Sequence, residues 1–106
     1  MPHDVVRRQR ESEVTNPLLE ALMTLYMDVH EALPAGTTAA DVAGAHAQDL
    51  LVQAKYGVTY RSYWVDEANG KAWCLVEAPD AEAAAAVHRE AHGLVADRLF
   101  PVVEGQ

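Results

Sequence analysis

The stretch VTYRSYWVDEANGKAWCLVEA, residues 58–78, decides the fold. Val58 to Asp66 and Lys71 to Ala78 are rich in aromatic and β-branched residues, the composition of strands. Between them Asn69 and Gly70 form a strong turn signal, so the two runs make a β-hairpin. Pro79 stops the second strand, Asp80 can cap a helix through AEAAAAVHREAH, and Gly93 stands where a left-handed C-terminal cap belongs. A last strand is expected over Ala96 to Val103. Upstream of the hairpin, Leu25, Met27 and Val29 alternate with Tyr26, Asp28 and His30, the period of two of another strand. Pro34 and Gly36 end it. Thr38 with Asp41 resembles a capping box, and Ala43, Ala47, Leu50, Leu51 and Ala54 recur at helical spacing, giving a helix from about Thr38 to Tyr56 whose core face those five residues mark.

The order strand, helix, strand, strand, helix, strand is the split βαβ arrangement, an α+β fold with both helices on one face of an antiparallel sheet. The domain spans residues 23–106. Residues 1–22 read as an extension: a polar, mixed-charge segment, then Asn16 and Pro17 as the start of a short amphipathic helix through Leu18, Leu19, Leu22 and Met23. In the strand Lys71 to Ala78 both parities are apolar, Trp73 and Leu75 on one face and Ala72, Cys74 and Val76 on the other. Tyr60 with Trp64, and Tyr63 with Val65, divide across its partner in the same way. Two helices cover one face only, so a second copy of the chain is expected over the other in a twofold dimer, the alternative being a monomer whose N-terminal helix folds over that face.

The chain has 106 residues, 8 Lys plus Arg against 16 Asp plus Glu, and a net charge of −8. That length suits one domain. The acid surplus disfavours nucleic acid, whose binding depends on Lys and Arg displacing counterions, and disfavours an anionic membrane surface. No apolar run is long enough to span a bilayer, and no apolar segment follows the basic residues near the start, so a cytoplasmic, soluble protein is expected. The single Cys74 excludes an internal disulfide and a cysteine-rich zinc site. Any metal must then be held mainly by imidazole and carboxylate.

Five histidines in so short a chain make that worth following. His88 and His92 are four apart on the second helix, one turn along one face, and can chelate one ion. Asp28 and His30 share a face of the first strand, where the carboxylate can join the imidazole on a metal or orient its ring. His46, three residues before Asp49, sits at the edge of the first helix's core face. Glu77 has the parity of Trp73 and Leu75, and a carboxylate among such neighbours needs a partner. Cys74, on the opposite face from Glu77, reads first as a small buried hydrophobe, because apolar burial raises a thiol's pKa, with a thiolate ligand as the lesser alternative. If Leu25, Met27 and Val29 face the helices, Asp28 and His30 point away from them, and joining His88 requires a strand end, a helix terminus or the neighbouring chain. Each histidine alone reads equally well as structural.

The segments YMDVHE (26–31), AHAQDL (45–50), GKAWCLVEAPD (70–80) and VHREAHGLVADRLFPV (87–102), in this order, resemble a family of small nickel-binding proteins with a ferredoxin-like fold. The resemblance implies a dimeric ferredoxin-like domain that binds Ni(II), with other divalent transition metals as alternatives, and that serves nickel sequestration or response without catalysis. Asp28, His30, His46, Cys74, Glu77, His88 and His92 occupy its motif positions, and Asp28, His30, His46, Glu77, His88 and His92 are the expected metal residues. The competing reading is a small-molecule binder or enzyme of the dimeric α+β barrel type. There Glu77 or a neutral histidine would act as general base in a cleft walled by Trp64, Trp73, Tyr60 and Tyr63.

Overall fold

A computed structural model describes residues 22–106. The helix expected from Asn16 lies outside them. The elements are β1 (Thr24–His30), α1 (Ala39–Val52) continued by a 3-10 turn (Gln53–Tyr56), β2 (Thr59–Asp66), β3 (Lys71–Ala78), α2 (Ala81–Ala91) and β4 (Arg98–Pro101). They build a four-stranded sheet in the order β2-β3-β1-β4. Every neighbouring pair is antiparallel, the order that two interleaved strand-helix-strand units give. β4 is shorter than expected: Ala96 and Asp97 precede it, Asp97 already donating its N–H to the Val29 carbonyl, and Val102 and Val103 follow it.

Local chemistry sets the boundaries. Thr38 and Asp41 form the reciprocal box at the start of α1, each side chain accepting from the other's backbone N–H. Asp80 caps α2 by accepting from Ala83 N at 2.8 Å. Gly93, at φ +84°, closes α2 by donating to the His88 carbonyl at 2.8 Å, a left-handed turn that a side chain would strain. That cap fixes where the last turn of α2, with His88 and His92, ends.

Two faces differ from their expected assignment. A β-bulge between Tyr60 and Tyr63 absorbs Arg61 and Ser62, so both tyrosines face the helices, Tyr60 opposite Val76 and Tyr63 opposite Cys74. Trp64 instead pairs with Trp73 on the face opposite α1 and α2, so the four aromatics do not wall one cleft. In α1 the apolar stripe is the outward face: Leu51 is 79% exposed and Leu50 45%, and Ala43, Ala47 and Ala54 are exposed too. Val42, Ala45, His46, Asp49 and Val52 turn inward. The polar Asp49 is 2% exposed because it finds a buried partner on α2, and that pairing overrides the apolar periodicity.

The core between sheet and helices is built from Val58, Tyr60, Cys74, Val76, Ala78, Ala84 and Val87. Ala78 and Ala84 are completely buried where α2 meets β3. Side chains this small let the helix sit close to the sheet, so the residue one turn past Ala84, His88, reaches the strands.

Candidate metal centre

β1 turns Tyr26, Asp28 and His30 toward the helices, because Asp28 and His30 are buried while Met27 and Val29 are only partly so. This settles the open question of β1's inward face, and no strand end or second chain is needed for Asp28 to meet His88. Register places Asp28 beside Cys74 and His30 beside Ala72 on β3. His88 descends onto them from α2, and Asp49 arrives from α1.

The His88 ring, 2% exposed, is held by carboxylates at both ends. Its Nε2 lies 2.8 Å from Asp28 Oδ2 and its Nδ1 2.9 Å from Asp49 Oδ1. Only the imidazolium carries protons on both nitrogens, so the arrangement selects the charged ring. Burial alone would lower its pKa, but the two carboxylates together outweigh burial and raise His88 to about 9. Asp49 responds in the opposite sense. Burial would raise it, yet the His88 hydrogen bond and the nearness of His92 hold its carboxyl below the usual range.

Around this triad the remaining groups close in. Tyr60 stacks on His88 with centroids 4.5 Å apart. Its hydroxyl shares one proton between Asp28 Oδ2 at 3.1 Å and the Ala84 carbonyl at 3.0 Å, and burial beside Asp28 raises its pKa. His30 Nε2 is 3.6 Å from Asp28 Oδ1. Burial lowers the His30 pKa against the pull of Asp28, with the charge of His88 adding to the fall. Burial, then Asp28, pushes the Cys74 thiol up. His92 Nε2 lies 3.0 Å from Asp49 Oδ1, off the line that a hydrogen bond requires. Its Nδ1 accepts from Leu94 N at 3.1 Å.

Two donor groups result, with His88 common to both. Asp28, His30, Cys74 and His88 each offer a ligand atom within 4.8 Å of the others, and all four residues are buried; Asp49, His88 and His92 do the same from the other end of the ring. Asp28 Oδ1, fully buried, has no hydrogen-bond partner among the described residues, an orphaned acceptor of the kind a cation satisfies. Two imidazoles, a carboxylate and a thiol are a borderline donor set that suits late divalent transition ions. The residues fit a metal.

Of the expected metal residues the structure brings together Asp28, His30, His88 and His92. His46 belongs to neither donor group; its ring packs on Tyr63 with centroids 4.8 Å apart. Glu77 lies on the sheet face away from α1 and α2, paired with Leu25 and Thr59 on the neighbouring strands, and its carboxylate reaches Arg61 at 3.5 Å. Strand alternation puts it there with Trp73 and Leu75, so it cannot join Cys74 and Asp28, nor serve as a base inside the helix-covered space. Asp49 enters the site unforeseen, and Cys74, expected at a motif position but read first as a small hydrophobe, enters as a donor. Asp49 carried only its spacing from His46, and Cys74 carried a parity opposite to Glu77 that, with β1's inward face known, would have placed it beside Asp28.

The model of a family described as nickel responsive protein SCO4226-like matches residues 26–102. The chain belongs to this family. Within that span fall all members of both donor groups. The crystal structure of SCO4226 from Streptomyces coelicolor A3(2) is 36% identical and superposes with a TM-score of 0.70, covering 77% of this chain and 99% of that one. Comparison with curated proteins yields no match. For this SCO4226-like chain the family assignment and the buried donor cluster rest on separate observations, one on sequence and one on side-chain geometry. Among the described residues, no helix is long and apolar enough to cross a membrane.

Proposed function

We propose that this protein binds a divalent transition-metal ion, Ni(II) foremost, at the group formed by Asp28, His30, Cys74 and His88, and that it serves nickel sequestration or response without catalysing a reaction. The convergence of four buried donor atoms within 4.8 Å carries this reading. The nickel-responsive description of the family supports the choice of ion. Asp49 and His92 stand behind His88, where they orient the ring or take part in binding through its other nitrogen. A bound ion supplies Lewis acidity and a fixed positive charge in place of the His88 and Cys74 protons. The net charge of −8 favours a cation's approach.

The working form is a cytoplasmic homodimer whose partner covers the sheet face away from α1 and α2, where Trp64 is 50% and Phe100 44% exposed, with residues 1–22 as an extension to the domain. Titration of metal-free protein, isolated without a histidine tag, with Ni(II) by calorimetry tests the reading. Uptake should weaken at least about tenfold in His30→Ala and in Cys74→Ser, each losing one inner ligand. If wild type takes up no nickel, or both variants take it up as wild type does, the assignment is wrong.

A further inference from the structure

Asp28, His30, Cys74 and His88 are all buried, yet an ion can reach them only from water. On one side β1 and β3 run next to each other and close the cluster with their backbones. Toward α2, Ala84 and Val87 are completely buried in the core against β3. α1 packs instead on β2 and α2, and between it and the sheet lies a half-open cavity of about 180 Å³. His30, Cys74 and His88, three of the four donors, lie at its buried end. Val42 and Ala45 of α1 line it farther out, and the exposed Asp41 and Leu94 mark its solvent side.

Size and chemistry suit passage. A single buried water needs about 10–15 Å³, so the cavity has room for an ion that still carries waters. Val42 and Ala45 offer no donor atom, so an ion is held at the buried end and not on the way to it. Asp41, on the solvent side of a chain with net charge −8, favours a cation's approach. Taking the proposed metal site as given, we infer that this cavity is the route by which a hydrated divalent ion enters and leaves the donor group, and that the small side chain of Ala45 keeps it open.

A route differs from a ligand in its kinetics: narrowing it raises one barrier common to both directions and leaves the equilibrium alone. Stopped-flow mixing of the metal-free full chain with Ni(II), followed by thiolate-to-nickel absorption, gives the uptake rate. Challenge of the loaded protein with excess EDTA gives the release rate, and calorimetry gives the affinity. Ala45→Leu should slow uptake and release each about tenfold, with affinity within about twofold of wild type. Ala47→Leu, the same change where α1 faces outward, should leave both rates within about twofold. A check on wild type needs no variant to fold: low urea should leave the uptake rate unchanged, whereas entry by local opening would accelerate as urea favours the opened form. Wild-type rates in Ala45→Leu, equal slowing in Ala47→Leu, lost affinity with release no slower, or uptake that climbs with urea would each overturn the inference while nickel binding stood. A wild type that takes up no nickel at equilibrium would remove the metal site and the route together.

Discussion

Raising the pH above neutrality should destabilise the metal-free protein long before any lysine titrates, and the His88 clamp sets how much. The ring's folded pKa of about 9 stands above the ordinary histidine value of 6.5. A raised folded pKa means that the stabilisation is complete below the unfolded value and is lost as pH climbs through the folded one. The gap of about 2.5 units is worth roughly 3 kcal/mol at about 1.4 kcal/mol per unit, a conversion that holds for a ring this completely buried. About 2 kcal/mol of it should disappear between pH 6.5 and 8.5. In that window the other shifted groups are silent: His30 and Asp49, both lowered, act at lower pH, and the raised thiol of Cys74 costs stability only above its unfolded value near about 8.5. Urea denaturation at half-unit pH steps, with Asp49→Asn alongside, measures it. The variant keeps the ring's contact with Asp28 and should show a visibly shallower fall. A flat profile for wild type from pH 6.5 to 8.5, or a His88 ring that titrates below 7 by NMR, would refute the doubly clamped imidazolium.

The same clamp makes metal uptake compete with protons. At pH 7 both His88 and Cys74 carry the proton that coordination must displace, so calorimetry in two buffers of different ionisation heat should report about two protons released per ion, and about one in Cys74→Ser. Tyr60→Phe removes a hydroxyl buried between Asp28 and the Ala84 carbonyl and should cost about 1–2 kcal/mol in urea denaturation. Glu77→Gln breaks only a half-exposed pair with Arg61 on the far face, so stability should stay within about 0.5 kcal/mol and nickel affinity within about twofold.

The elements were legible because their signals are local. Asn69 and Gly70, the Thr38 box, Asp80 and Gly93 each act through their own backbone, and each stands where its chemistry indicated. What the sequence withheld were choices between faces. Both parities of β3 are rich enough in apolar residues to be buried, and in β1 the apolar parity of Leu25, Met27 and Val29 lies away from the helices while Tyr26, Asp28 and His30 face them, so alternation identifies two faces without saying which one the helices cover. The bulge at Arg61 and Ser62 shifts parity between Tyr60 and Tyr63 with no turn residue to announce it. In α1 the more apolar face lost the interior to the face bearing His46 and Asp49. Hydrophobic periodicity weighs residues one at a time, whereas Asp49 is buried by virtue of a partner that is 39 positions away.

That inversion bears on why the site exists. A buried ion triad is a poor way to stabilise a small domain, because taking charges out of water costs several kcal/mol each before their attraction returns it, and well-packed apolar replacements are often neutral or better. Here α1 turns Leu50 and Leu51 outward and gives its inner face to Asp49, while α2 and β1 give His88 and Asp28 to the same interior. Three elements thus make the same unfavourable choice at one point, leaving Asp28 Oδ1 unpaired at its centre. Packing alone does not account for such agreement. On the proposed function a cation would satisfy the orphaned oxygen and relieve the imidazole of its proton, and the local violation of apolar patterning would mark where the fold gives up stability for chemistry.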